Sequence, residues 1–358
     1  MFAEDVKYLC CPLTLEPLTV SQVTKEDSDG EIIEGRLTSV SSGKTYAIKN
    51  GIPRFVANGK NNDSWHYKWT QIDQGKGLNY RIVNKSDPAY EIHDLFDRNS
   101  HGGKAYQYTK GRVVLDLGCG VGQYSWRMIE ECKPAKLVSL DLTGGVDLFR
   151  KIMLERFPQN KSKILIVQAD VFSMPFCDET FDYVFSFGVL MHTGNTREAI
   201  RQASRVLKDG GELNIWIYAS EAVPYEARES GRRGIRAPFR YSAVLVRYTI
   251  IRCWIMMFRL LPHAVVVSII RAFSSDLWYT ISRLPVFGYL ARSVFSTVMH
   301  PDRDYRYINN YDGYCNSWSD TWSEYEIFPV LRNESIVIKG ISEWRLGIWG
   351  IKQKGFYD

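Results

Sequence analysis

Five short apolar runs recur between residues 112 and 217: Val113-Val114-Leu115, Leu137-Val138-Ser139-Leu140, Ile164-Leu165-Ile166-Val167, Tyr183-Val184-Phe185 and Leu213-Asn214-Ile215-Trp216-Ile217. Each is too short for a core helix, is rich in β-branched and aromatic residues, and is bounded by Gly, Pro or Asp. Helix-length amphipathic spacers separate them. Near-continuous apolar runs of this kind are strands buried on both faces, which is the condition of a parallel sheet flanked by helices. The expected fold is therefore α/β, a doubly wound Rossmann-like sheet. Two later runs, Ser335 to Lys339 and Arg345 to Lys352 around Gly340, read as an antiparallel hairpin closing one side of that sheet.

The rest of the chain divides around this core. Residues 1–57 carry short strand-like runs between turn clusters such as Asp29-Gly30 and Ser41-Ser42-Gly43, and read as a small β-rich domain. Residues 58–110 read as a linker and helical extension, 111–224 as the core, and 301–358 as a substrate-side element followed by the closing strands. Residues 225–300 differ from all of these, with eleven arginines, no lysine and three acids among many large apolar side chains. Helices broken at Pro262 and Pro285 are expected there. Over the whole chain the net charge is only +5, too mild to identify a nucleic-acid binder. Seven cysteines at irregular spacing suggest reduced thiols and a cytoplasmic location, and no secretion-type leader or apolar spanning run is evident.

The chemistry-bearing signal begins at Val114-Leu115-Asp116-Leu117-Gly118-Cys119-Gly120-Val121-Gly122. A strand that ends in Gly-x-Gly-x-Gly makes a tight turn and lets a ligand approach the backbone near a helix amino terminus. By itself it serves a dinucleotide equally well, or merely connects a strand to a helix. The next strand ends at Asp141, where an acid can accept both hydroxyls of a ribose or simply cap a helix. A further acid, Asp170, ends the third strand, in reach of an exocyclic amine. Asp182, at the start of the fourth, reads as structural.

In this order and spacing, LDLGCGVGQYS, SLDLT, VQADVFSMPFCDETFDYVFSFGVLMHT and ASRVLKDGGELNIWIY resemble the class I S-adenosylmethionine-dependent methyltransferases over about 110 residues. The resemblance implies S-adenosyl-L-methionine as cofactor. Gly118, Cys119 and Gly120 would hold its methionine end, Asp141 and Leu142 the ribose side, and Asp170 and Val171 the adenine. Asp116 would order the loop or reach the amino group. A nicotinamide dehydrogenase would share the first half of the pattern, but the LKDGGELNIW segment and the final hairpin favour the methyltransferase.

The amino-terminal domain also bears a resemblance, carried by Tyr8-Leu9-Cys10-Cys11-Pro12, Gly35-Arg36-Leu37, Ser42-Gly43-Lys44-Thr45-Tyr46 and Gly51-Ile52-Pro53-Arg54-Phe55. It is similar to the small zinc-ribbon-like domain related to a methyltransferase activator subunit. Zinc-bearing versions use two Cys-x-x-Cys pairs, whereas Cys11, Thr14, Ser39 and Ser42 stand at those places here. One thiolate and three hydroxyls do not make a zinc site, so the ribbon is expected to be degenerate and no metal is assigned.

His192 follows the fourth strand and is the candidate base or acceptor-orienting group, with a loop-bonding histidine as the plain alternative. Trp65 and Trp69 share a face if helical, and Trp69 is assigned to the cofactor, with core packing as the simpler reading. Arg303, Arg306, Tyr311 and Tyr314 are candidate substrate contacts. The arginine-rich insertion is expected to be a helical lid, against a peripheral membrane element or a homodimer surface. The expected activity is methyl transfer to O or N of a small-molecule substrate, a sugar or natural-product intermediate of a bacterial biosynthetic pathway, with no nucleic acid. The alternatives are a tRNA methyltransferase and a non-catalytic regulatory or scaffold protein that binds the same cofactor.

Overall fold

The computed structural model describes residues 1–56, 63–73, 105–220, 249–285, 287–295, 297–315, 319–342 and 346–357. Most of the expected helical extension, 74–104, and the first half of the arginine-rich insertion, 221–248, lie outside these residues.

The chain opens with an antiparallel meander of β1 (Leu18–Glu26), β2 (Ile32–Ser39) and β3 (Thr45–Lys49), then β4 (Ile52–Arg54). Helices α1 (Asp63–Asp73) and α2 (Ala105–Thr109) precede an alternating run of β5 (Val113–Leu117), α3 (Gln123–Arg127), β6 (Lys136–Asp141), α4 (Gly145–Arg156) and β7 (Ile164–Gln168). Then come β8 (Phe181–Phe187), α5 (Thr196–Val206) and β9 (Leu207–Trp216). The sheet order is β1-β2-β3-β4-β7-β6-β5-β8-β9-β11-β10, where β10 (Ile336–Ile341) and β11 (Gly347–Lys352) close the far side. Strands β4 to β9 pair in parallel from β4·β7 through β8·β9, and the hairpin strand β11 runs antiparallel to β9.

The expected doubly wound core is thus present, and its strands are buried for the reason their composition gives. Strand β7 is buried at every position and β6 at all but its last residue, so neither has a solvent face. By contrast, β1 at the edge of the sheet is exposed along most of its length. From β5 the chain winds outward through β6 and β7, then returns to β8 on the other side of β5. That reversal opens a crevice at the carboxyl ends of β5 and β8, where open α/β sheets bind ligands.

The meander extends the core sheet, an outcome its short runs do not announce. Arg54 pairs with Gln168 across β4 and β7, and the Phe55 N–H donates to Gln168 O at 2.8 Å. Charged side chains fasten the join. Arg54 donates to Asp147 Oδ1 at 2.5 Å and to Gln168 Oε1 at 2.6 Å, buried Arg150 donates to buried Glu31 at 2.7 Å, and Lys136 pairs with Asp5. At the expected zinc-ligand positions, Cys11 Sγ lies 3.2 Å from Tyr46 Oη and Ser39 Oγ accepts the Ser42 N–H at 3.4 Å. Burial opposes ionisation of Cys11, but hydrogen bonds from Tyr46, Thr14 and the Leu13 and Thr14 amides bring its thiol down to about 6. All seven cysteines are free thiols.

A second compact unit holds the described helices between 249 and 315, α6 (Thr249–Phe258), α7 (His263–Phe273), α8 (Asp276–Arg283), α9 (Phe287–Val294) and α10 (Arg303–Cys315). Aromatic rings fill its centre: Phe273 stacks on Phe295 at 4.2 Å, Phe295 on Tyr314 at 4.4 Å, and Trp254 meets both phenylalanines edge-on. The first unit resumes with α11 (Glu324–Asn333), started by a capping box between Ser323 and Glu326 that satisfies two otherwise orphaned helix-end amides.

Candidate active site at the carboxyl ends of the parallel strands

The glycine turn after β5 lies at the crevice, and its glycines are required by space. Gly118 has φ +90°, and a Cβ there would come within 2.3 Å of Val189, which follows β8. Gly120 has φ +53°, and its Cβ would meet the Trp69 indole at 2.9 Å. Any side chain would therefore need both an unfavourable backbone and a displaced neighbour. The turn's amides face inward: those of Gly118 and Cys119 both donate to Leu140 O, at 2.8 and 2.9 Å. The Cys119 side chain is buried with Sγ against Gly120 O, so this residue offers a ligand neither its amide nor its thiol.

Asp141 ends β6 as expected, but its carboxylate is largely engaged by the protein. Oδ2 accepts the Gly120 N–H at 2.8 Å, and Oδ1 accepts the amide and hydroxyl of Thr143 at 2.8 and 2.7 Å. With a further bond from the Leu142 amide these lock the turn, and a ribose hydroxyl would share a carboxylate oxygen with them. Burial raises its pKa in spite of these bonds. Asp116 is buried, accepts the Ser125 hydroxyl at 2.6 Å, and has no exposed face toward the crevice. Its part is to order the loop.

Asp170 caps the short helical turn at Val171–Ser173, accepting the Phe172 N–H at 3.0 Å. Its half-exposed neighbours Val171 and Phe172 stand beside half-exposed Leu142, because β6 and β7 are paired in register up to Asp141 and Gln168. This apolar edge suits the faces of a flat heterocycle. Asp182 accepts the Val113 N–H at 2.8 Å and pairs with Lys208, the structural part expected of it.

An aromatic row crosses the same edge. Trp69 stacks on Trp65 at 5.6 Å, Trp65 meets His192 edge-on at 5.7 Å, His192 meets Tyr218 at 5.2 Å, and Tyr218 meets Trp216 at 5.6 Å. The Lys68 ammonium sits 4.4 Å above the Trp65 ring. His192 is half-exposed and is held by the turn Leu190–His192, whose last amide donates to Val189 O at 2.8 Å. A strap laces this turn to the end of β9: the Asp320 N–H donates to Met191 O and the Trp322 N–H to Tyr218 O, both at 2.9 Å. Trp216 and Tyr218 were not singled out by the sequence, although alternation along β9 puts both on the face of Asn214.

Residues 115–215 match the family model described as "Methyltransferase domain". Over 112 residues the chain is similar to a tRNA U34 carboxymethyltransferase of Aliarcobacter butzleri (strain RM4018), 31% identical over 31% of this chain and 36% of the relative. It is likewise similar to an erythromycin 3''-O-methyltransferase of Saccharopolyspora erythraea, 31% identical over 35% of this chain and 40% of the relative. A third likeness is to a ubiquinone/menaquinone biosynthesis C-methyltransferase of Paracoccus denitrificans (strain Pd 1222), 29% identical over 40% of this chain and 66% of the relative. The chain thus spans less than two thirds of each relative's length.

Similarity to a methyltransferase domain implies S-adenosylmethionine as cofactor, and the residues present fit it. The glycine turn leaves a cradle that a Cβ would fill. Beside it the buried Trp69 Nε1 has no hydrogen-bond partner and lies 3.1 Å from where a Gly145 Cβ would stand, at the amino terminus of α4. A buried indole N–H without an acceptor costs free energy that a bound polar group would recover.

The second unit contains the four expected substrate contacts, and three of them are spent inside it. Arg306 is fully buried, donating to Ser274 O, His300 O and Pro301 O and pairing with Asp276 at 2.5 Å. Tyr311 Oη lies 3.0 Å from His263 Nε2, and Tyr314 is buried in the aromatic centre. These are corrections: a guanidinium saturated by three carbonyls and a carboxylate is a staple, and the tyrosines are packing. Arg303 alone of the four is exposed.

Proposed function

We propose that the chain is an S-adenosylmethionine-dependent methyltransferase acting on oxygen or nitrogen of a small molecule, a sugar or natural-product intermediate. The observation that carries this reading is His192, held between Trp65 and Tyr218 at the strand ends that also carry the glycine turn. The cofactor, when bound, supplies an electrophilic methyl on a sulfonium. The chain's residues do the rest. Trp69, the Gly118–Gly120 turn and the Asp141 carboxylate that locks it fix the donor, and Leu142 and Val171 enclose its flat base. Trp65 and Tyr218 orient the acceptor so that its lone pair lies in line with the breaking bond, which converts a bimolecular encounter into a positioned one. A hydroxyl acceptor would pass its proton to an imidazole nitrogen of His192 as it takes the methyl group.

The test is release of S-adenosylhomocysteine by the purified chain against a panel of sugars, small phenols, amines and tRNA. Turnover with a hydroxyl or amine small molecule is expected. Turnover with tRNA alone would overturn the substrate class.

A further inference from the structure

We propose that the helical unit around α9 docks on the surface of an anionic phospholipid bilayer. Helix α9 presents two different faces. Gly288, Ala291 and the following Phe295 are buried, and a Cβ at Gly288 would come within 2.4 Å of Ser282 O, so this face is fixed against its own unit. Phe287, Leu290 and Val294, spaced three and four residues apart on the other face, are 68%, 57% and 52% exposed. Soluble helices point such a stripe at a core. Leu284, just before α9, is also exposed, as are Met256, Met257 and Leu260 at the end of α6. The two groups are tied together by the Trp254 Nε1–H, which donates to Val294 O at 2.7 Å.

The charge around these side chains selects the occupant. Residues 249–295 contain five arginines, no lysine and one acid, Asp276, which is already paired with Arg306. Arg252, Arg259, Arg271 and Arg283 are exposed. Guanidinium groups match phosphodiester oxygens in pairs, and the bilayer interface offers phosphate and hydrocarbon within one helix diameter of each other. A second copy of the chain would instead set these arginines against their equivalents, with like charges opposed. A nucleic acid would meet the arginines but leave the apolar stripe in water. No single helix among the described residues is long and apolar enough to cross a membrane; α7 and α8 pass that test only together, bent by 49° at their break. This inference does not rest on the methyl-transfer reading.

The experiment is flotation of the full chain with phosphatidylcholine vesicles, with and without phosphatidylglycerol. The chain is expected to float with the anionic vesicles, to stay behind with the neutral ones, and to be released as salt rises. Replacing the stripe by Phe287→Glu with Leu290→Glu should lower the bound fraction about tenfold, since burial of apolar area and attraction to anionic lipid set the affinity. If that variant does not fold, Leu290→Ser with Arg283→Gln carries the same test in milder form. Absence of flotation with anionic vesicles, or flotation that these changes leave intact, overturns the proposal. So does a dimer in vesicle-free buffer that the same changes dissociate.

Discussion

Burial pushes the Asp116 carboxyl up, the Ser125 hydroxyl pulls it back, and nearby Asp141 adds to the rise, leaving it at about 7. An unfolded aspartate releases its proton near 3.8, so between about pH 4 and pH 7 the folded chain binds more protons than the unfolded one. This residue's contribution to stability therefore falls as pH rises through that window and is level above it. Asp116→Asn is always neutral and should flatten that part of the profile, read as melting temperature between pH 5 and pH 8. An unchanged slope would contradict the burial account. At the crevice, His192→Ala should slow turnover of a hydroxyl substrate by about 10² to 10⁴ while cofactor affinity stays near the parent's. Equal losses of affinity and stability would instead make His192 a loop-bonding residue. Its position was legible because a polar residue in the turn that follows a buried parallel strand falls at the ligand edge. The spent condition of Arg306, Tyr311 and Tyr314 was not, because charged and aromatic residues in a polar stretch read as surface, and only tertiary structure supplies the carbonyls that satisfy a buried guanidinium.

At the scale of elements, strands β5 to β8 could be read from composition because both their faces are buried, which removes the alternation that other strands need. Strand β9 starts at Leu207, earlier than its apolar run at Leu213, since Lys208, Asp209, Gly210 and Gly211 look like a turn. The junction of β4 with β7 was not legible. It depends on pairings over a hundred residues apart, and on Arg150 and Glu31, whose charges suggest solvent but whose side chains are buried together. Glu31 Oε1 also takes the Met1 ammonium at 2.8 Å, so losing Arg150 leaves the buried carboxylate with that single counter-charge, whereas losing Glu31 leaves Arg150 buried without one. Arg150→Ala should therefore destabilise the fold by about 3 to 5 kcal/mol, and the double change with Glu31→Ala should cost less than the sum of the single ones. Denaturant unfolding of the three variants measures both quantities, and strict additivity would show that the pair does not interact. Burial raises the Glu31 pKa, but the hydrogen bonds and charges of Arg150 and of the Met1 ammonium together more than offset it and hold the carboxyl below its ordinary value of 4.5. The pair's contribution is accordingly present above about pH 4.5 and lost as pH falls through the lower, folded-state value.

Across the whole molecule, the ordered motifs from Leu115 to Ile215 specify a cofactor site because each serves one strand end of one sheet. The central claim is that the glycine turn and Asp141 form a site for S-adenosylmethionine. Calorimetric titration of the purified chain with S-adenosylhomocysteine tests it most directly. The account predicts one site per chain, no corresponding heat with NAD, and loss of binding in Gly120→Val, a variant in which a side chain must displace the Trp69 indole. A folded parent chain that binds NAD and gives no heat with S-adenosylhomocysteine would contradict it.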